Sequence, residues 1–227
     1  MIWATAFSAF YSTAIAQSAF QDLDFEAANI VSISGRPQAV TTANALPGWT
    51  VDYGNFQQTE VTYNEQSLGG TTVTVLATGY PSLTTRTPID GSYDVILFGG
   101  LADATISQTG VVPLTARSVI FDEVSESGSF VPEVSIGSDV LSLFPVGSGT
   151  GQNGVGFTTW GANVSAWAGQ TEQLSITSPA NSGQMEFDDI SFSPNPVTVT
   201  PEPDALMLMG IGGSLFGAYK RFMPKRK

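Results

Sequence analysis

Cysteine and histidine are both absent from these 227 residues. Without them there is no disulfide, no thiol nucleophile, no Ser-His-Asp relay and no zinc centre built on Cys or His. Charge is scarce too, at 12% Asp, Glu, Lys and Arg, and cations are the scarcest: five of the eight Lys and Arg residues (Lys220, Arg221, Lys225, Arg226, Lys227) occupy the last eight positions. Residues 18–200 set three arginines, Arg36, Arg86 and Arg117, against 18 acids, a formal charge of −15. Such a surface repels a phosphate backbone, which excludes nucleic acid as a partner. Long amphipathic stretches of period 3.6 are missing as well.

What is present is 24 glycines, 13 prolines and many Thr, Ser and Val residues, the composition of a chain rich in turns and strands. The class this predicts is all-β, and the length suits one domain around one buried core. Short strands are expected at Leu23–Glu26, Thr71–Leu76, Tyr93–Phe98, Thr105–Val112, Ser118–Phe121, Val134–Ile136, Val140–Phe144, Leu174–Thr177 and Met185–Phe192. Glycine pairs and the Asn181-Ser182-Gly183 turn punctuate them, a spacing that predicts a single antiparallel β-sandwich. The glycine-dense stretch Gly147–Gly156 has no lysine and no following helix, so it reads as a loop near one end of the sandwich and not as a phosphate cradle.

The two ends differ from the middle. Residues 1–16 are small and apolar and finish in Ala14-Ile15-Ala16 ahead of polar Gln17-Ser18, the pattern of a secretory signal peptide cut after Ala16. No Lys or Arg precedes the apolar stretch, which leaves room for a start upstream of Met1 or for a buried first element. At the far end, a proline-rich stalk over 194–204 contains Pro201-Glu202-Pro203, an apolar segment covers 205–219, and a basic tail covers 220–227. Proline keeps the stalk extended and open to a protease. The 15-residue apolar segment, as a C-terminal hydrophobic helix, measures about 22 Å, short of the ~30 Å hydrocarbon core. The basic tail resists translocation and places the preceding domain outside the membrane.

This arrangement resembles the PEP-CTERM sorting domain over residues 201–227. The resemblance implies an exported protein, held first in the inner membrane by its helix, processed by an exosortase-type enzyme, and destined for the cell envelope, cell surface or an extracellular matrix rich in polysaccharide. It implies a destination and no activity.

Within the ectodomain, 17–193, alternation over the first predicted strand puts Asp22, Asp24 and Glu26 on one face, and like charges that close call for a counter-charge. In the last predicted strand the apolar phase switches at Asp188-Asp189, because Met185 and Phe187 share one parity and Ile190 and Phe192 the other. A β-bulge at the acid pair restores one inward face. With so few arginines nearby, calcium is the natural cation for these acids; solvation on outer faces is the other reading.

Phe25-Glu26, Gly48-Trp49, Gln108 ahead of Val112-Pro113, and Asp188-Asp189-Ile190 together resemble the jelly rolls of carbohydrate-binding modules and galactose-binding-like domains. That resemblance implies a structural Ca²⁺ held by Glu26 and Asp189, with Asp188 beside them, and a non-catalytic extracellular polysaccharide binder. Aromatic platforms for sugar are then sought at Tyr53, Tyr80 and Trp160, while Trp49 and Trp167, among small apolar neighbours, read as core. A matrix scaffold that binds no sugar is the alternative. A carboxylate-dependent polysaccharide-degrading enzyme is disfavoured, since the neighbours Asp122-Glu123 and Asp188-Asp189 point to opposite faces of regular strands.

Overall fold

In the computed structural model of the protein, residues 18–65, 70–78, 87–125, 132–152 and 154–197 are described. Residues 1–16, read above as a signal peptide, Tyr80, and residues 201–227, read above as a sorting region, lie outside them. The strands, in chain order, are β1 (Ser32–Ile33), β2 (Arg36–Thr41), β3 (Thr50–Tyr53), β4 (Phe56–Gln58), β5 (Glu60–Tyr63), β6 (Thr72–Ala77), β7 (Tyr93–Phe98) and β8 (Ala104–Val111). They continue as β9 (Ser118–Ser125), β10 (Glu133–Ile136), β11 (Asp139–Val140), β12 (Phe144–Thr150), β13 (Gly156–Asn163), β14 (Thr171–Ser178) and β15 (Gln184–Ser193).

Two sheets stack as a sandwich, one ordered β1-β2-β5-β6-β7-β15-β9-β13-β12 and the other β11-β10-β14-β8-β3-β4. All-β is therefore correct. Pairing is antiparallel except between β5 and β6, which run parallel through Thr62↔Thr74 and Tyr63↔Val75. Among the described residues no helix is long and apolar enough to cross a membrane.

The core follows from alternation. Val73, Val75, Val95, Leu97, Val119, Phe121, Met185 and Phe187 line the inner face of the larger sheet and are buried. They meet Val51, Ile106, Leu174, Ile176, Val134 and Ile136 from the smaller one. Phe121 and Phe187 stack with centroids 5.8 Å apart, as do Phe25 and Trp49, which confirms Trp49 as core. Trp167 is partly buried against the same cluster.

The structure corrects three expectations. Leu23–Glu26 is a turn and not a strand, because Asp22 and Phe25 both adopt positive φ, 48° and 57°. Left-handed residues break the pleat, and the turn is held instead by Ala27 N donating to Asp22 Oδ1 at 2.8 Å and by Gln108, whose Nε2 donates to Gln21 O at 2.9 Å. The stretch Val140–Phe144 is divided, Val140 ending β11 in one sheet and Phe144 opening β12 in the other. The glycine-dense stretch is half strand, its first residues ending β12 and its last opening β13: Phe144–Thr150 pairs with Gly156–Asn163, and the Phe157 ring lies over Gly149, where a Cβ would overlap it. An aromatic ring covering a cross-strand glycine supplies the packing that the glycine lacks.

Candidate functional site: an acid-lined groove

The bulge expected at Asp188-Asp189 is present. Asp188 pairs with Asp122 and Ser191 with Ile120, so Asp189 and Ile190 together oppose Phe121, and Asp189 takes φ 51°. The extra residue keeps Ile190 in the core and turns Asp189 to the surface.

That turn of the chain builds a site. On the outer face of β9, β13 and β15 an open groove of about 710 Å³ is lined by Asp22, Asp24, Asp122, Asp189 and Thr159, with Leu23 and Ile120 among its apolar walls. A second depression of about 380 Å³ shares Asp122 and Asp189 and adds Ile89, Asp90, Gln152 and Phe157. Thr159 Oγ1 donates to Asp122 Oδ1 at 2.6 Å, which fixes that carboxylate. Partial burial raises the pKa of Asp122, Asp189 and Asp22. For Asp189 the charges of Asp90, Asp122, Asp24 and Glu26 push further the same way. Among the described residues no Lys or Arg lines either depression.

The same face of the larger sheet also carries a set of buried acids. Asp94 on β7 and Glu186 and Asp188 on β15 alternate away from the core yet are 0%, 2% and 2% exposed. Burial pushes Asp188 up to about 8, and it raises Asp94, reinforced by Glu186. Glu123, buried beside Trp160, is raised to about 6, again chiefly by burial. For Asp94, Asp188 and Glu123 the fold thus favours the protonated form more than water does.

The residues expected to ligate calcium divide between two tasks. Glu26 Oε1 accepts the backbone N–H of Ser92 at 2.7 Å and of Tyr93 at 2.9 Å. Asp188 Oδ2 accepts from Asp90 N at 3.0 Å, and its Oδ1 from Asp189 N at 2.8 Å. Asp189 alone faces the groove. Among the described residues no group of three acidic side chains is placed to hold an ion by itself.

The aromatic candidates are dispersed. Tyr53, on β3 in the smaller sheet, packs against the core and its hydroxyl accepts from Val73 N at 2.9 Å. Trp160, on β13 in the larger sheet, donates from Nε1 to Glu123 Oε2 at 3.2 Å. Neither lines the groove. Removing the Tyr53 hydroxyl leaves a buried strand N–H without its acceptor, so Tyr53→Phe is expected to cost about 1–3 kcal/mol in urea unfolding. Sequence reasoning missed Asp90, Asp122 and Asp24 as companions of Asp189; the phase switch at Asp188-Asp189 was the signal that something had to turn outward there.

No protein-family model matches the chain, and no curated protein matches it. Among solved structures it is similar to the enzymatically active domain of tailspike protein 4 of bacteriophage CBA120. The identity is 14% and the TM-score 0.35, over 65% of this chain and 19% of that one.

Proposed function

We propose that the protein is an exported cell-surface or matrix protein whose sandwich binds an extracellular glycan in the acid-lined groove without cleaving it. The groove itself carries the reading: its size suits one or two sugar rings, and its carboxylates are acceptors for the hydroxyls of a polyhydroxylated ligand. Thr159 adds a hydroxyl and Leu23 and Ile120 an apolar floor. The Pro201-Glu202-Pro203 motif with its helix and basic tail supplies the export half, with an exosortase-type enzyme as processing partner.

Retention on immobilised polysaccharide from the producing cells tests the first half. Asp122→Asn combined with Asp189→Asn is expected to weaken it by about tenfold or more, since hydrogen bonds to charged acceptors are among the stronger polar contacts. Unchanged retention would remove the groove from the reading, and no retention by the natural protein would favour the matrix scaffold. Mass spectrometry of the surface form tests the second half: a C-terminus near Pro203 is expected, and an intact basic tail would overturn the sorting reading.

The bulge also favours a second reading. It directs Asp189 into the same groove as Asp122, which regular alternation does not allow, and two carboxylates flanking a glycan are the minimum for hydrolysis. Release of reducing ends from retained polysaccharide, lost in the same double variant, would decide for the enzyme.

A further inference from the structure

The wall of the second depression is the turn that contains Ile89 and Asp90; of the side chains that hold it, Asp94 is local and Glu26 and Asp188 come from distant parts of the chain. Asp94 Oδ2 accepts from Ile89 N at 3.1 Å, Asp188 Oδ2 from Asp90 N, and Glu26 Oε1 from both Ser92 N and Tyr93 N. Gly91 completes the wrap. It sits at φ +57°, and a Cβ there would overlap the Glu26 carboxylate. The turn therefore closes on Glu26 as a backbone cradle closes on an anion.

We propose that Glu26 is a positioning residue of the second depression, which shares Asp122 and Asp189 with the groove: its carboxylate, held against the Gly91 turn, fixes residues 89–93 as that wall through direct backbone hydrogen bonds and not through a bridging cation. The inference deepens the glycan-binding reading and rests on it only for the purpose of the wall. Gln152 extends the lock outward, its backbone N donating to Ile89 O at 3.0 Å and its Nε2 to Gly91 O at 2.9 Å. The position of Asp90 in the second depression thus depends on a residue that lies in neither depression.

Amide hydrogen exchange of the full chain, followed residue by residue by NMR with chelator and then with excess calcium, tests this. The Ser92 and Tyr93 amides are expected to be protected equally in both conditions. Glu26→Ala should speed their exchange by about ten- to hundredfold, the worth of a charged hydrogen bond, while Glu26→Gln, whose amide oxygen still accepts, retains most of the protection. Should Glu26→Ala fail to fold, Gly91→Ala pushes the carboxylate off the turn and should expose the same two amides. Protection that vanishes with chelator and returns with calcium would overturn the proposal in favour of a bridging ion. So would unchanged exchange in Glu26→Ala. Protection as expected in a protein that retains no polysaccharide would leave Glu26 as the lock of the turn and remove only the glycan reading.

Discussion

Raising the pH from about 5 to about 8 is expected to lower the melting temperature of the sandwich steadily, because the fold binds protons that the unfolded chain releases. Asp188 carries most of the effect. Its folded pKa is raised to about 8, against an ordinary value near 4, so in that window the native state holds a proton that the unfolded state has lost. Stability from this group is complete below the unfolded pKa and disappears as the pH climbs through the folded one. At ~1.4 kcal/mol per unit the loss across these three pH units is on the order of 3–4 kcal/mol, or roughly 10 °C in melting temperature for a domain of this size. Glu123, raised to about 6, adds to the fall over the lower half of the window, and Asp94 acts in the same direction.

Opposing contributions are small. The Arg36–Glu60 pair lowers the Glu60 pKa, which would favour higher pH, but both side chains are exposed and such pairs contribute little. Asp188→Asn keeps an oxygen for Asp90 N, gives up only the acceptor of the adjacent Asp189 N, and removes the titration. The variant is therefore expected to melt above the natural protein at pH about 8 and to show a much flatter profile. Melts in chelator across the pH range check it, and a flat profile in the natural protein would mean that these acids are solvated or neutralised in the fold.

The strands that sequence alone revealed are those where branched residues alternate without interruption. Tyr93–Phe98 is found at its expected bounds, and the strands that begin near Thr72, Ala104 and Thr171 differ from expectation only at their ends. What escaped were elements governed by backbone conformation or by partners distant in the chain. Nothing in Leu23-Asp24-Phe25-Glu26 announces that Phe25 adopts a left-handed conformation, since a phenylalanine there is costly and is tolerated only because its ring is buried against Trp49. The β12–β13 hairpin was hidden by its own glycines, whose packing comes from Phe157 across the ladder. The groove and the depression beside it were least legible of all, for their acids arrive from residues 22–24, 90, 122 and 189. Only the sheet order brings them together.

Single-residue changes of length at the bulge are expected to have sharply unequal effects. Inserting a glycine between Asp189 and Ile190 shifts the remainder of β15 by one position and exchanges its faces. Ile190, which is 3% exposed, and Phe192, whose ring lies 5.2 Å from that of Phe20, would both leave the core. At about 1.5–3 kcal/mol for each buried side chain, the insertion should cost about 3–6 kcal/mol, enough to unfold a marginal domain. Deleting Asp189 does the reverse. Phe187, Ile190 and Phe192 then fall on one face by plain alternation, Ile190 opposes Phe121 directly, and a left-handed residue costing roughly 1–2 kcal/mol is removed. The deletion should therefore change the urea midpoint little while taking one carboxylate out of the groove and weakening polysaccharide retention. An outcome in which deletion destabilises as much as insertion would mean that the bulge serves the sandwich itself. The expected asymmetry would mean that the extra residue is retained for the groove, because the core is equally satisfied without it.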